Sequence, residues 1–208
     1  MLAGETKDFS VDWTPPSDGV FHVSVGLVKL AWSGIYGWNN DAIIIDTSVV
    51  NPPPPPPPAS TPIYLDALQT GWVDWSWLTT TNPNFAGSVN EGTKSMQVTF
   101  SDPWSGFYLH NDALSTAGKT TLSFAINGNT AGGQALQLRA YDAANHALTA
   151  VNLNTYVAGT NLAPNTWVTV NIPLADLGIA NATFTGFVVQ GRTGVIPPIF
   201  LLDNIRLQ

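Results

Sequence analysis

The sequence predicts an all-β protein: an antiparallel β-sandwich of the jelly-roll kind, preceded by a short N-terminal β segment on a polyproline linker. Three observations carry this expectation. After residue 60, segment after segment alternates apolar and polar residues with the strand period of two, from SMQVTF to FLLDNIRL. Gly, Asn and Pro separate these segments, as turns between short strands require. No stretch sustains a 3.6-residue period, and only PLADLG (173–178) suits a single helical turn.

Residues 1–50 contain VFHVSVGLVKLAW and AIIID, which read as strands. So small a unit, without disulfide or metal, is marginal alone. It reads as the C-terminal piece of a preceding β-domain, or as strands that pair with the following module or with a neighbouring chain. Its Trp13, Trp32, Tyr36 and Trp38 suit either a core or a stacking surface. The stretch NPPPPPPPAS (51–60) adopts polyproline II, about 3.1 Å per residue, and serves as a semi-rigid spacer. Residues 61–208 then supply SMQVTF, GFYLH, TLSFAING, ALQLRAYD, WVTVNIPL, FTGFVVQG and FLLDNIRL, enough strands for a complete sandwich.

Alternation assigns faces. Phe107 and Leu109 oppose Tyr108 and His110; Leu136, Leu138 and Ala140 oppose Gln137, Arg139 and Tyr141; Phe187 and Val189 oppose Val188 and Gln190. Three strands thus share an apolar core face. Their other face is aromatic and amide-rich, where a plain solvent face would carry Thr, Ser, Lys and Glu. Amides and guanidinium engage vicinal hydroxyls in a planar, bidentate manner, and aromatic rings stack on the C–H faces of sugars. The cluster GWVDWSW (71–77) adds three tryptophans. If it is extended, Trp75 and Trp77 share a face and Trp72 packs inward. Trp104 lies in the turn sequence DPWSG, with little core to enter, and Trp167 lies off the aromatic face.

Composition excludes several partners. Net charge is −7 with only seven basic residues, so nucleic acid and anionic membrane surfaces are not expected to bind. No run of about 18 apolar residues exists, so no membrane-spanning helix is expected. The absence of cysteine excludes disulfides and thiolate chemistry. The opening MLAGETKDF has neither a charged n-region nor an apolar h-region and reads as the start of an excised fragment. No carboxylate pair, nucleophile elbow or metal-spaced histidine motif announces catalysis. Two rivals to a sugar-binding role stand: an adhesion module, and a jelly-roll polysaccharide lyase using Tyr108, His110, Arg139 and Gln190.

Taken in order, IYLDALQTGWVDWSW, NEGTKSMQVTF, WSGFYLHN, IPLADLG and FLLDNIRL resemble a β-sandwich carbohydrate-binding module of the kind attached to bacterial polysaccharide-degrading enzymes. The resemblance covers residues 61–208. GVFHVSVGLVKLAWSGIYGWNNDAIII (19–45) resembles the tail of another extracellular β-domain. The resemblance implies a secreted, non-catalytic module that targets a glycoside hydrolase in the same parent chain to plant-type polysaccharide, β-glucan or cellulose, xylan or mannan. It implies a binding surface at Trp75, Trp77, Trp104, Tyr108, His110, Arg139, Tyr141 and Gln190. It also implies a structural calcium (Ca2+) at Asp66, Glu91 and Asp203. Oxygen ligands suit that ion, and Asp203 interrupts the apolar run IFLLDNI, where a lone charge is costly.

Overall fold

The computed structural model describes residues 10–17, 19–29, 31, 33–46 and 60–208. Trp32 and nearly all of the polyproline stretch, 51–59, lie outside the described residues. The chain divides into two compact units, Met1–Pro55 and Pro56–Gln208.

In the first unit, β1 (Val20–Val28) and β2 (Ile35–Asp46) form an antiparallel hairpin. Both expected strands are present, and they pair with each other. β2 begins well before the AIIID run, at Ile35, because its first half continues the ladder opposite Val25–Val28. Val25, Leu27, Ile35, Tyr36, Trp38, Ile43 and Ile44 are all exposed, and Trp13 packs edge-on against Phe21.

The second unit is an antiparallel β-sandwich. Its strands are β3 (Thr61–Tyr64), β4 (Val73–Asp74), β5 (Thr79–Phe85), β6 (Ser95–Phe100), β7 (Gly106–Ser115), β8 (Thr121–Asn127), β9 (Leu136–Asp142), β10 (Val151–Asn152), β11 (Trp167–Pro173), β12 (Thr183–Gly191) and β13 (Phe200–Leu207). One sheet runs β10-β9-β12-β7-β4; the other runs β11-β8-β13-β6-β5, with β3 on the C-terminal part of β13. All seven segments read as strands from the sequence are strands. β3, β4, β5 and β10 lack an alternating signature because they are two to four residues long or, like TTTNPNF, polar and Pro-interrupted. PLADLG forms two successive hydrogen-bonded turns, Asp176 N–H to Pro173 O and Gly178 N–H to Ala175 O, instead of a helical turn; Gly178 takes a positive φ that ends it.

The inward alternation holds. Phe107, Leu109, Leu136, Leu138, Phe187 and Val189 meet Val98, Phe100, Leu122, Phe124, Ile126, Val170, Phe200 and Leu202 in one core. Trp72 is buried there, with its ring 6.1 Å from both Phe184 and Phe187. The expectation that one tryptophan of GWVDWSW packs inward is met in its geometry. Among the described residues no helix is long and apolar enough to cross a membrane.

Phe187 is nearly fully enclosed and joins Trp72 to the core. Phe187→Ala should destabilise the unit by about 3–5 kcal/mol, read as a lower urea midpoint at unchanged m-value.

Candidate functional site

The outer face of the β4–β10 sheet is built in three cross-strand rows. Residues directly opposite in antiparallel strands share a face, so each row can be followed from the register. The first runs Val73, His110, Gly186, Tyr141. The second runs Tyr108, Val188, Arg139, with Trp75 N–H on the Tyr108 carbonyl. The third runs Trp77, Gly106, Gln190, Gln137, Asn152.

Local hydrogen bonds hold the tryptophan segment in register. Asp74 accepts from Ser76 N–H (2.8 Å) and from the Thr81 hydroxyl (2.6 Å), turning the chain at the end of β4. Ser76 Oγ accepts from Tyr108 N–H, and Trp77 exchanges both backbone bonds with Gly106. Trp75 and Trp77 therefore leave the same side of the segment, as the alternation predicted.

Two glycines make room for the rings. A Cβ on Gly106 would lie 2.4 Å from Trp77 Cη2, so the indole lies directly over that backbone. A Cβ on Gly186 would lie 2.3 Å from the Leu109 carbonyl and 2.8 Å from Tyr108 Cε2. Over this gap Tyr108 stacks on Tyr141, two strands away, at 4.8 Å and 24°. Gly186 adopts a φ of +151° at a bulge in β12, where Thr185 is the unpaired residue.

The rings form two layers. Trp75 stacks on His110 at 3.5 Å and 6°, and both Trp75 and Trp77 stand edge-on to Tyr108. Trp75 is 51% exposed, Trp77 36% and Trp104 72%, whereas Tyr108 and His110 are each 5% exposed. The structure thus brings all eight sequence-derived residues together, but Tyr108 and His110 lie beneath the indoles as supports. Period-two alternation reports which side a residue takes, not what lies on top of it. Burial pushes the Tyr108 phenol above its ordinary value, and its hydroxyl donates to Asn145 Oδ1 at 2.7 Å. Asn145 also accepts from Thr185, so the βturn after β9 anchors the lower layer. Sequence reasoning missed Asn145 and Thr185, whose role arises from tertiary contacts. It placed Gln137 on the face, and Gln137 stands partly exposed beside Gln190.

Trp104 sits on a turn in which Asp102 caps the Trp104 N–H and Ser105 donates back to the Asp102 carbonyl. The Trp104 carbonyl accepts from Trp77 Nε1 at 2.9 Å and from Gln190 Nε2 at 3.5 Å. The turn is therefore tied to the third row by its main chain, leaving the indole free. Trp167 lies on the edge of the opposite sheet and donates to Ser88.

Asp66, Glu91 and Asp203 border one cavity of about 250 Å³ with Leu65, Gly92 and Asn204. Asp203 is fully buried. It accepts from the Asn90, Glu91 and Asn204 amides, yet burial, reinforced by Asp66, raises its carboxyl above the usual range. Asp66 accepts from the Thr93 and Lys94 amides, which lower its carboxyl. Glu91 is turned toward Arg206 and Asn204. Among the described residues no three acidic, His or Cys side chains converge as a metal set. The two aspartates, Asp203 buried and Asp66 partly exposed, border one cavity and suit a hard cation; Glu91 joins them only if it releases Arg206.

No protein-family model matches the sequence, and no curated protein matches it. Solved structures do. A CBM29-2 carbohydrate-binding module mutant complexed with mannohexaose is similar with a TM-score of 0.50 and 14% identity, covering 72% of this chain and 90% of that one. A second CBM29-2 mutant gives 0.49 and 13%, covering 72% and 91%. The structural neighbours are thus family 29 carbohydrate-binding modules, and the fold is their antiparallel β-sandwich.

Two outcomes are expected. Gly106→Val should lift the Trp77 indole and break its bond to Trp104, seen as lost hydrogen-exchange protection at that one indole N–H. The pH profile should show Asp66 and Asp203 with opposite signs. Asp66, lowered on folding, contributes stability above the ordinary carboxylate value that is lost as pH falls through its depressed value. Asp203, raised on folding, contributes below that value and loses its contribution as pH rises. Asp66→Asn should therefore flatten the acid side of stability measured by urea titration.

Proposed function

We propose that the second unit is a non-catalytic carbohydrate-binding module that takes a neutral β-linked polysaccharide across the Trp75–Trp77–Trp104 surface. The observation that carries this is the exposure of three indoles on a face whose supporting layer is already packed. Stacking surfaces gain from such rigidity because little side-chain freedom is lost on binding. Arg139, Gln137 and Gln190 stand beside the rings with donors suited to hydroxyl pairs. The mannohexaose held by the structural neighbour supports a β-mannan or glucomannan ligand.

A lyase reading is disfavoured because Tyr108, its natural base, is buried, raised in pKa and committed to Asn145. The module would hold a glycoside hydrolase of its parent chain near the substrate, a gain in effective concentration, in a secreted bacterial setting. Calcium belongs to the same proposal. Asp66 and Asp203 would hold it, and its charge would offset the buried carboxylate of Asp203.

Native affinity electrophoresis through gels containing glucomannan, mannan, β-glucan or xylan tests the ligand. Retardation is expected in at least one. Trp77→Ala and Trp104→Ala should each weaken it by about tenfold or more, roughly 1.4 kcal/mol, the exposed Trp104 with an unchanged unfolding midpoint and the packed Trp77 with a lowered one but a folded protein at the assay temperature. Normal binding by the folded variants would remove the surface from consideration. Calcium at pH 7 should raise the melting temperature, EDTA should reverse this, and Asp66→Asn should abolish the response.

A further inference from the structure

The third row of the aromatic face does not end at Gln137. Its last residue, Asn152, pairs directly with Gln137 and so shares the face. Asn152 opens into a second cavity of about 330 Å³, within the range of small-ligand sites. Three strand spacings separate it from Gly106, about 14 Å at 4.8 Å each.

The chemistry of this cavity differs from that of the aromatic surface. Its walls carry no aromatic ring and no carboxylate. Its floor is rigid: buried Gln134 donates to the Gly128 and Ile199 carbonyls, and Asn154 spends its amide on Leu136 N–H and the Gln134 carbonyl. Asn152 Oδ1 is taken by Asn154 N–H, which leaves its NH₂ group for a ligand. Above this floor stand the exposed Thr160 and Asn161, and the exposed guanidinium of Arg192, which meets no carboxylate among the described residues. The Arg192 backbone is fixed by its N–H to the Ala135 carbonyl.

We infer that this cavity is a separate subsite for an acidic sugar, a uronic-acid residue whose carboxylate pairs with Arg192 and whose hydroxyls meet Asn152 and Asn161. A guanidinium matches a carboxylate in a two-bond fork, and amides match neighbouring hydroxyls. In a chain of net charge −7, an unpaired arginine among neutral donors is the local exception that admits an anion. Its place at the end of the third row suits an acidic branch on a chain lying across the indoles, and to that extent it rests on the proposed function.

The test uses a probe that needs no aromatic platform. Methyl β-glucuronide is titrated into the isotope-labelled full chain and followed by NMR, with methyl β-glucoside as the neutral control. Saturable shifts at Gly133, Ala135, Asn161 and Arg192 are expected, about tenfold tighter for the glucuronide, the scale of one charge-assisted pair. Arg192→Gln should erase that preference while leaving retardation by neutral glycans unchanged. Shifts that do not saturate, equal affinity for both sugars, or an unaltered preference in Arg192→Gln would each overturn the subsite. Failure of neutral glycans to retard the protein would count against the aromatic surface alone.

Discussion

Two missing Cβ atoms set the shape of the outer sheet face. A β-sheet bearing ordinary side chains is a ridged surface, and large rings stand up from it. At Gly106 and Gly186 the ridges are removed, so Trp77 lies over one backbone and the Tyr108–Tyr141 stack spans the other. Every later feature follows from that levelling. Tyr108 is pressed down far enough to reach Asn145, His110 receives Trp75 face to face, and the three indoles remain as the outermost groups. Gly186 is not dispensable by relaxation, because the Leu109 carbonyl and His110 Cα in its way belong to the backbone of β7, whereas a side chain at Gly106 would have to displace the Trp77 indole.

The other sheet works under a different constraint. Asp203 sits in β13 with no solvent contact, and three amides converge on it, Asn90 and Glu91 from one loop and Asn204 from the strand itself. The left-handed Asn204 beside it breaks the ladder, and the β13–β8 register shifts between Asp203 and Arg206. Asp203 thus fixes the start of the loop at 90–94 and the bulge at 203–206, while Asp66 fixes the end of the same loop through Thr93 and Lys94. A buried charge that gathers this many donors fixes loop geometry as a short covalent link would.

Much of the sandwich was legible in the sequence, because strands β6–β9 and β11–β13 each turn a run of apolar residues at every second position toward the core. The side taken by Trp75, Trp77, Arg139, Tyr141 and Gln190 followed from the same period. What the period could not contain was depth. Tyr108 and His110 share a side with Trp75 yet lie under it, since layering depends on which neighbours cross over and on glycines in other strands. The short strands β3 and β4 owe their existence to partners far along the chain, and β10 to the preceding β9; the segments themselves carry no sign of them. The proximity of Asp66 to Asp203 was suggested only by resemblance, and the engagement of Glu91 by Arg206 was not visible at all.

The tie between Trp77, Gln190 and residue 104 uses only the main-chain oxygen of Trp104. Whatever side chain occupies that position, the turn remains fastened to the sheet. Position 104 is therefore an interchangeable tip on a fixed mount. Evolution can trade its indole for a tyrosine, an arginine or a small residue without redesigning the scaffold beneath. On the proposed function, one substitution there would change the outline of the ligand surface and leave its support unaltered.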